Sequence, residues 1–351
     1  MKTNRFFLAI LAVAGMMMTA CSNDEAIQLN NEPQAISFRT QGGTPSSVLR
    51  TTATTTDYVD AFVVYGTDNV FGAANLIFDG VTVARQIEGG FDYAPKRYYG
   101  ENAFRARFFA FSPVSTHIDN INPDILPAGV DDAVITFDYT VPKPNELGDT
   151  AQEDLLVAFE NIAPSPDPLP DCVILHFTHA LSRIFVTARN YTAETIVIDS
   201  LVLQNLVTKG TFAYYPYAAP DPNIVWTPST DPDDVGNYTY ILAESGVALP
   251  PVPSPINPSL TLPVYLTSRE QGMMVLPQAT VNDGDPGNPS NFALKIQYQF
   301  ANWGTQTKYI FLPDGWIFSP NTQYTIHIEF TGKAIEFDIE VGPYSVLGLL
   351  I

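Results

Sequence analysis

Apolar side chains recur at every second position along much of the chain, the spacing that sets one face of an extended segment against a core. Phe292, Leu294, Ile296, Tyr298 and Phe300 alternate with Ala293, Lys295, Gln297 and Gln299, while Tyr324, Ile326, Ile328 and Phe330 alternate with Thr325, His327 and Glu329. Ala133, Ile135, Phe137, Tyr139 and Val141 repeat the pattern, and residues 104–108 begin another such run. Ile335, Phe337, Ile339 and Val341 alternate with Glu336, Asp338 and Glu340 and read as a last core strand, stopped by Gly342-Pro343. With 29 prolines and 22 glycines punctuating 351 residues, long helices are not expected. The fold class is all-β, many short strands in antiparallel sandwiches. Pro164, Pro166, Pro168 and Pro170 interrupt the pattern, and such a run neither forms a helix nor supplies the donors of a central strand. Two β-sandwich domains in tandem are therefore expected, at 21–165 and 171–351.

The first 20 residues have a different character. Lys2 and Arg5 precede an apolar run over residues 6–14, followed by Met18-Thr19-Ala20-Cys21. The run is shorter than the ~20 residues a membrane span needs, and its order is that of a secretory signal peptide. Thr19-Ala20-Cys21 resembles the end of a bacterial lipobox, which marks Cys21 for lipidation at the outer membrane, with residues 1–20 removed. Acylation of Cys21 leaves Cys172 as the remaining thiol, read as a small buried side chain in Cys172-Val173-Ile174-Leu175.

Charge and composition narrow the chemistry. Lys+Arg 17 against Asp+Glu 37 gives −20, and loss of Lys2 and Arg5 with residues 1–20 takes this to −22. Such a chain repels nucleic acid. It has no nucleophile-elbow spacing, no two-histidine zinc motif and no glycine-rich phosphate loop, so neither an enzyme nor a cofactor is expected. Two acidic loops, around Asp231–Asp234 and Asp283–Asp285, lack the alternating ligands and terminal Glu of a dedicated calcium loop, and calcium there is left open. Between Val173, Leu175 and Phe177 on odd positions and Ile184 and Val186 on even ones, the alternation slips phase. A bend near Ala180–Ser182 is expected, with His179 and Ser182 in structural roles.

The segment Phe177-Thr178-His179-Ala180-Leu181-Ser182-Arg183-Ile184 is similar to a strand of the Bacteroidales fimbrillins and Mfa-like pilins. Further segments resemble that family in the same order: Phe62-Val63-Val64-Tyr65, Arg97-Tyr98-Tyr99 with Phe108-Phe109-Ala110-Phe111, residues 152–158, Met274-Val275-Leu276-Pro277-Gln278, and Trp316 with Pro320-Asn321-Thr322. The resemblance implies two transthyretin-like sandwiches and a lipoprotein pilin, trimmed at the cell surface by an Arg-specific, trypsin-like protease. It also implies polymerisation with other pilin subunits, in a homopolymer or mixed pilus: the first strand is removed and a neighbour's strand replaces it.

The residues offer candidates for both halves of that exchange. Ile36-Ser37-Phe38 is a short alternating strand, and residues 40–57 are dominated by Thr, Ser and Gly, the composition of an exposed, cleavable loop. Arg50 is the basic residue of that loop and the candidate cleavage site, with Arg39, next to the strand, as the alternative. Residues 344–351 are mostly apolar, and such a tail would gain main-chain hydrogen bonds and side-chain pockets in a vacated groove. Val346, Leu347, Leu349 and Ile351 are its candidate donor residues. A second reading, a monomeric surface lipoprotein that binds glycan or a host ligand, rests on Tyr98-Tyr99 and on Tyr214-Tyr215-Pro216-Tyr217 with Trp226.

Overall fold

The alternating runs become strands because β-branched and aromatic residues on one face and polar residues on the other suit a half-buried sheet. In the computed structural model, which describes residues 34–42, 59–70, 73–87, 89–123, 135–142, 152–162, 168–215, 224–242, 246–251, 263–267, 272–283, 285, 288, 291–300, 304–331 and 335–343, they assemble into five sheets.

The largest sheet runs in the order β1 (Ser37–Gly42), β9 (Cys172–His179), β8 (Leu156–Ile162), β5 (Arg105–Ser112), β2 (Ala61–Val70), β3 (Ala73–Arg85), β4 (Phe91–Asp92). β1 lies parallel to β9, and the other pairs are antiparallel. One face carries a core of its own, with Phe38, Phe62, Val64, Phe78, Phe108, Leu175 and Phe177. Gly66 makes room for it: a Cβ there would meet the Phe108 ring at 2.7 Å. The other face, through Val63, Tyr65, Phe109, Phe111 and Val157, joins a second and larger core. Against it packs the sheet β13 (Ile224–Pro228), β12 (Lys209–Tyr214), β7 (Ile135–Thr140), β6 (Ile118–Pro123). Phe137 and its register partner Phe212 stack at 4.4 Å there.

Two further sheets close over the rest of that core. In one, β10 (Ser182–Asn190) has β16 (Val264–Tyr265) and β17 (Met273–Val275) on one edge, and β22 (Thr322–Phe330) then β23 (Ile335–Pro343) on the other. In its counterpart, β11 (Ile196–Val207) has β14 (Val235–Ile241) and β15 (Val247–Leu249) on one edge, and β19 (Ala293–Phe300) then β20 (Gly304–Phe311) on the other. β18 (Gln278–Ala279) and β21 (Ile317–Phe318) form a small fifth sheet.

Four sequence expectations meet the structure differently. The phase slip is real: β9 ends at His179, β10 starts at Ser182, and the two strands belong to different sheets. Strand pairing does not follow the proline-rich stretch, however. β9, beyond it in sequence, completes the first sheet, while β7, before it, pairs with β12. β23, expected as a core strand, is an edge strand with no fully buried residue; Phe337 is 41% and Val341 53% exposed. Cys172, expected to be a buried thiol without a partner, is half-buried and disulfide-bonded.

Candidate functional site: the first strand and its slot

The turn between β9 and β10 shows why the family-like segments have the residues they have. Ala180 N–H donates to the Leu155 carbonyl (2.8 Å), and Asn321 N–H donates to that of Leu181 (3.1 Å). Ser182 Oγ donates to the Ser319 carbonyl at 2.7 Å, and Trp226 Nε1 to that of Ala180 at 2.7 Å. His179 Nδ1 lies 3.0 Å from an Asp154 carboxylate oxygen. The Gln152 amide donates to the Met274 carbonyl and accepts from its N–H, at 2.8 and 2.9 Å. A chain that leaves one sheet for another strands backbone groups in the interior, and these contacts satisfy them. His179 and Ser182 are thus occupied in holding the crossover.

The exchange candidates lie at the other end of β9. β1 stands at the end of the seven-stranded order, with a sheet ladder to β9 alone: Phe38 is opposite Val173, Thr40 opposite Leu175 and Gly42 opposite Phe177. On its other side it is tied near the start, where Ile36 N–H donates to the Arg97 carbonyl at 2.9 Å and the Tyr93 hydroxyl to the Ile36 carbonyl at 2.6 Å. Burial pushes the Tyr93 phenol above its ordinary value, which keeps it a donor. Ser37 N–H and Oγ both donate to the Asp171 carbonyl.

Side chains hold β1 as well as its ladder. Ile36 and Phe38 are 1% and 3% exposed. The Phe38 ring sits among four others, with centroids at 5.3 Å (Phe78), 5.7 Å (Phe62), 5.8 Å (Phe108) and 6.0 Å (Tyr93), mostly edge to face. Edge-to-face pairs of this kind add attraction beyond area burial. Without β1 the first core would keep an aromatic-lined slot with the β9 edge open along it.

A family signature described as fimbrillin-like matches residues 50–343. The chain belongs to the fimbrillin-like family. That family consists of structural, non-enzymatic proteins. The architecture agrees: the fimbrillin-like chain superposes on a fimbrial protein of Bacteroides vulgatus with TM-score 0.58 at 14% identity, covering 89% of this chain and 99% of that one. A protein of Bacteroides ovatus described as a candidate cell adhesion protein gives TM-score 0.54 at 13% identity, with coverage of 89% and 98%. At such identities the likeness is one of fold. No curated protein sequence matches the chain.

Of the site residues read from the fimbrillin-like sequence, Phe38 falls in β1, Ile36 immediately precedes it, and Arg39 lies within the strand, opposite Ile174. Cys21, Arg50, Val346, Leu347, Leu349 and Ile351 lie outside the described residues. The aromatic positions of the glycan reading are partly used in packing: Trp226 lies 5.3 Å from Phe212, and Tyr214 5.1 Å from Phe159. The acidic loops spend carboxylates internally. Asp231 caps the short turn Pro232–Asp234, and Asp283 accepts from the Asn291 and Asn288 side chains. Among the described residues no group of His, Cys, Asp and Glu is arranged to hold a metal. Sequence reasoning missed the slot's walls, Phe62, Phe78, Tyr93 and Phe108, because pairings between distant strands bring them together.

Proposed function

We propose that the chain is a pilus subunit, exported as a lipoprotein held at the outer membrane through Cys21, trimmed after Arg50, and joined to its neighbours by strand exchange. One observation carries the reading. The first strand is an end strand with a single ladder partner, yet its side chains fill a core that would open if it left. Cleavage at Arg50 severs β1 from the rest without cutting any other described strand. The emptied slot then takes an extended segment from the C-terminal end of another pilin, for which residues 344–351 are the sequence-level candidate. Acylation consumes the Cys21 sulfur, so a lipidated subunit cannot also use that sulfur to pair with Cys172.

Arg50→Ala tests the reading. Parent protein treated with a trypsin-like protease should lose the residues up to 50 and form SDS-resistant ladders, whereas the variant should remain untrimmed and monomeric. Ladders of equal yield from the variant would refute trimming at Arg50 as the trigger.

A further inference from the structure

We infer that the outer face of β19 and β20 binds an acidic glycan, with Tyr309 and Phe311 stacking on sugar rings and Lys295 pairing with a sugar carboxylate. The two strands pair along their length, and Leu294, Ile296 and Ile310 turn inward to the larger core. The residues between them therefore stand on the opposite face, Lys295, Gln297 and Gln299 from β19 and Thr307, Tyr309 and Phe311 from β20. None of these is fully buried. Tyr309 is 40% exposed, and its ring lies 6.4 Å from that of Phe311 with 19° between their planes. Among the described residues the other ring pair so close to parallel, Phe137 with Phe212, is buried. Parallel rings at the surface turn their faces the same way, and the C–H face of a pyranose can cover them while its hydroxyls stay at the rim.

Beside the rings runs a row of positioned polar groups. Lys295 is the register partner of Tyr309, and Gln297 that of Thr307. Gln297 Oε1 accepts from Ser200 Oγ at 2.8 Å, which leaves the amide nitrogen to donate to a hydroxyl or carboxylate laid over the face. Gln299 is held in turn by Asp199, at 2.9 Å. Charge sets the ligand class. In a chain of net charge −20, Lys295 has no acid at the adjoining positions of its face, which hold Ser200, Val202 and Gln204 on β11 and Thr307, Tyr309 and Phe311 on β20. No ion pair joins it to a described residue. An ammonium without a carboxylate, next to exposed rings, complements a sugar that carries one. These are not the aromatic positions that the sequence singles out for glycan, because only the strand register brings Lys295 beside Tyr309.

Isothermal titration of the untrimmed full chain with hexagalacturonate, its methyl ester and a hyaluronan hexasaccharide tests the inference. Both acidic oligosaccharides should bind, with affinity lowered about tenfold or more by Tyr309→Ala and kept by Tyr309→Phe. Lys295→Gln should weaken the acidic ligands about fivefold and leave the methyl ester unchanged. Both side chains stand at the surface, so the melting temperature, measured alongside, should stay near that of the parent. Failure of the parent to bind either acidic oligosaccharide would overturn the inference, as would binding that Tyr309→Ala leaves intact. Equal affinity for hexagalacturonate and its ester would overturn the acidic class of ligand. Because the untrimmed monomer is titrated, any of these results leaves the strand-exchange reading standing.

Discussion

Phe38→Ala should destabilise the intact protein by about 3–5 kcal/mol, the usual cost of truncating a buried aromatic that leaves a cavity behind. The four rings around it come from β2, β3, β5 and the segment after β4, so no single movement closes the gap. Arg39→Ala in the same strand is the control, with an expected change within about 0.5 kcal/mol, because its side chain is not part of the core. Urea unfolding of both variants gives the comparison. Hydrogen exchange should localise the loss, with β9 and β2 exchanging faster and β22 unchanged. A cost below about 1 kcal/mol for Phe38→Ala would mean that the ladder to β9, not the aromatic slot, holds the first strand.

The second large effect is expected in alkali. Tyr139 and Tyr238 are fully buried, and neither hydroxyl has a hydrogen-bond partner among the described residues. Burial pushes both phenols far above their ordinary value, and the Glu153 and Asp154 carboxylates push Tyr139 further. In the unfolded chain both titrate near 10. Above that pH the unfolded state releases two protons that the folded state keeps, so it binds fewer, and stability falls as pH rises. The contribution is complete below about pH 10 and declines above it by about 1.4 kcal/mol per pH unit for each phenol, about 3 for the pair. Denaturant unfolding at pH 9, 10 and 11 should show at least this slope, and Tyr139→Phe/Tyr238→Phe should reduce it by about 3 kcal/mol per pH unit, leaving the share of Tyr65, Tyr93, Tyr99 and Tyr298, whose phenols burial also pushes up. Parallel loss of stability in parent and variant would place the alkaline sensitivity elsewhere. At neutral pH the double substitution should cost little, since no hydrogen bond to a described residue is removed.

Much of the architecture was legible because side-chain alternation reports directly on burial. The runs at Ile135–Thr140, Ala293–Phe300 and Thr322–Phe330 are strands facing a core, and the phase slip between Phe177 and Ile184 marks a change of sheet. Alternation carries no information about which edge a strand occupies. Ile335–Pro343 has the same pattern as the buried β22, yet it hangs on its outer side with Phe337 and Val341 half exposed. Prolines report where a ladder stops, not which sheet resumes, so β9 could return to strands from before the proline-rich stretch. Phe38 was legible as a strand residue, whereas its four aromatic neighbours depend on pairings between segments far apart in sequence.

The central claim is that β1 gives way to a strand from another molecule. A cryo-EM reconstruction of the assembled fibre tests it most directly, by tracing the chain that lies beside β9. The account requires that segment to be continuous with the C-terminal end of an adjacent subunit, an apolar side chain filling the slot between Phe62, Phe78, Tyr93 and Phe108. A fibre in which residues 36–42 of the same molecule still occupy that place would contradict it.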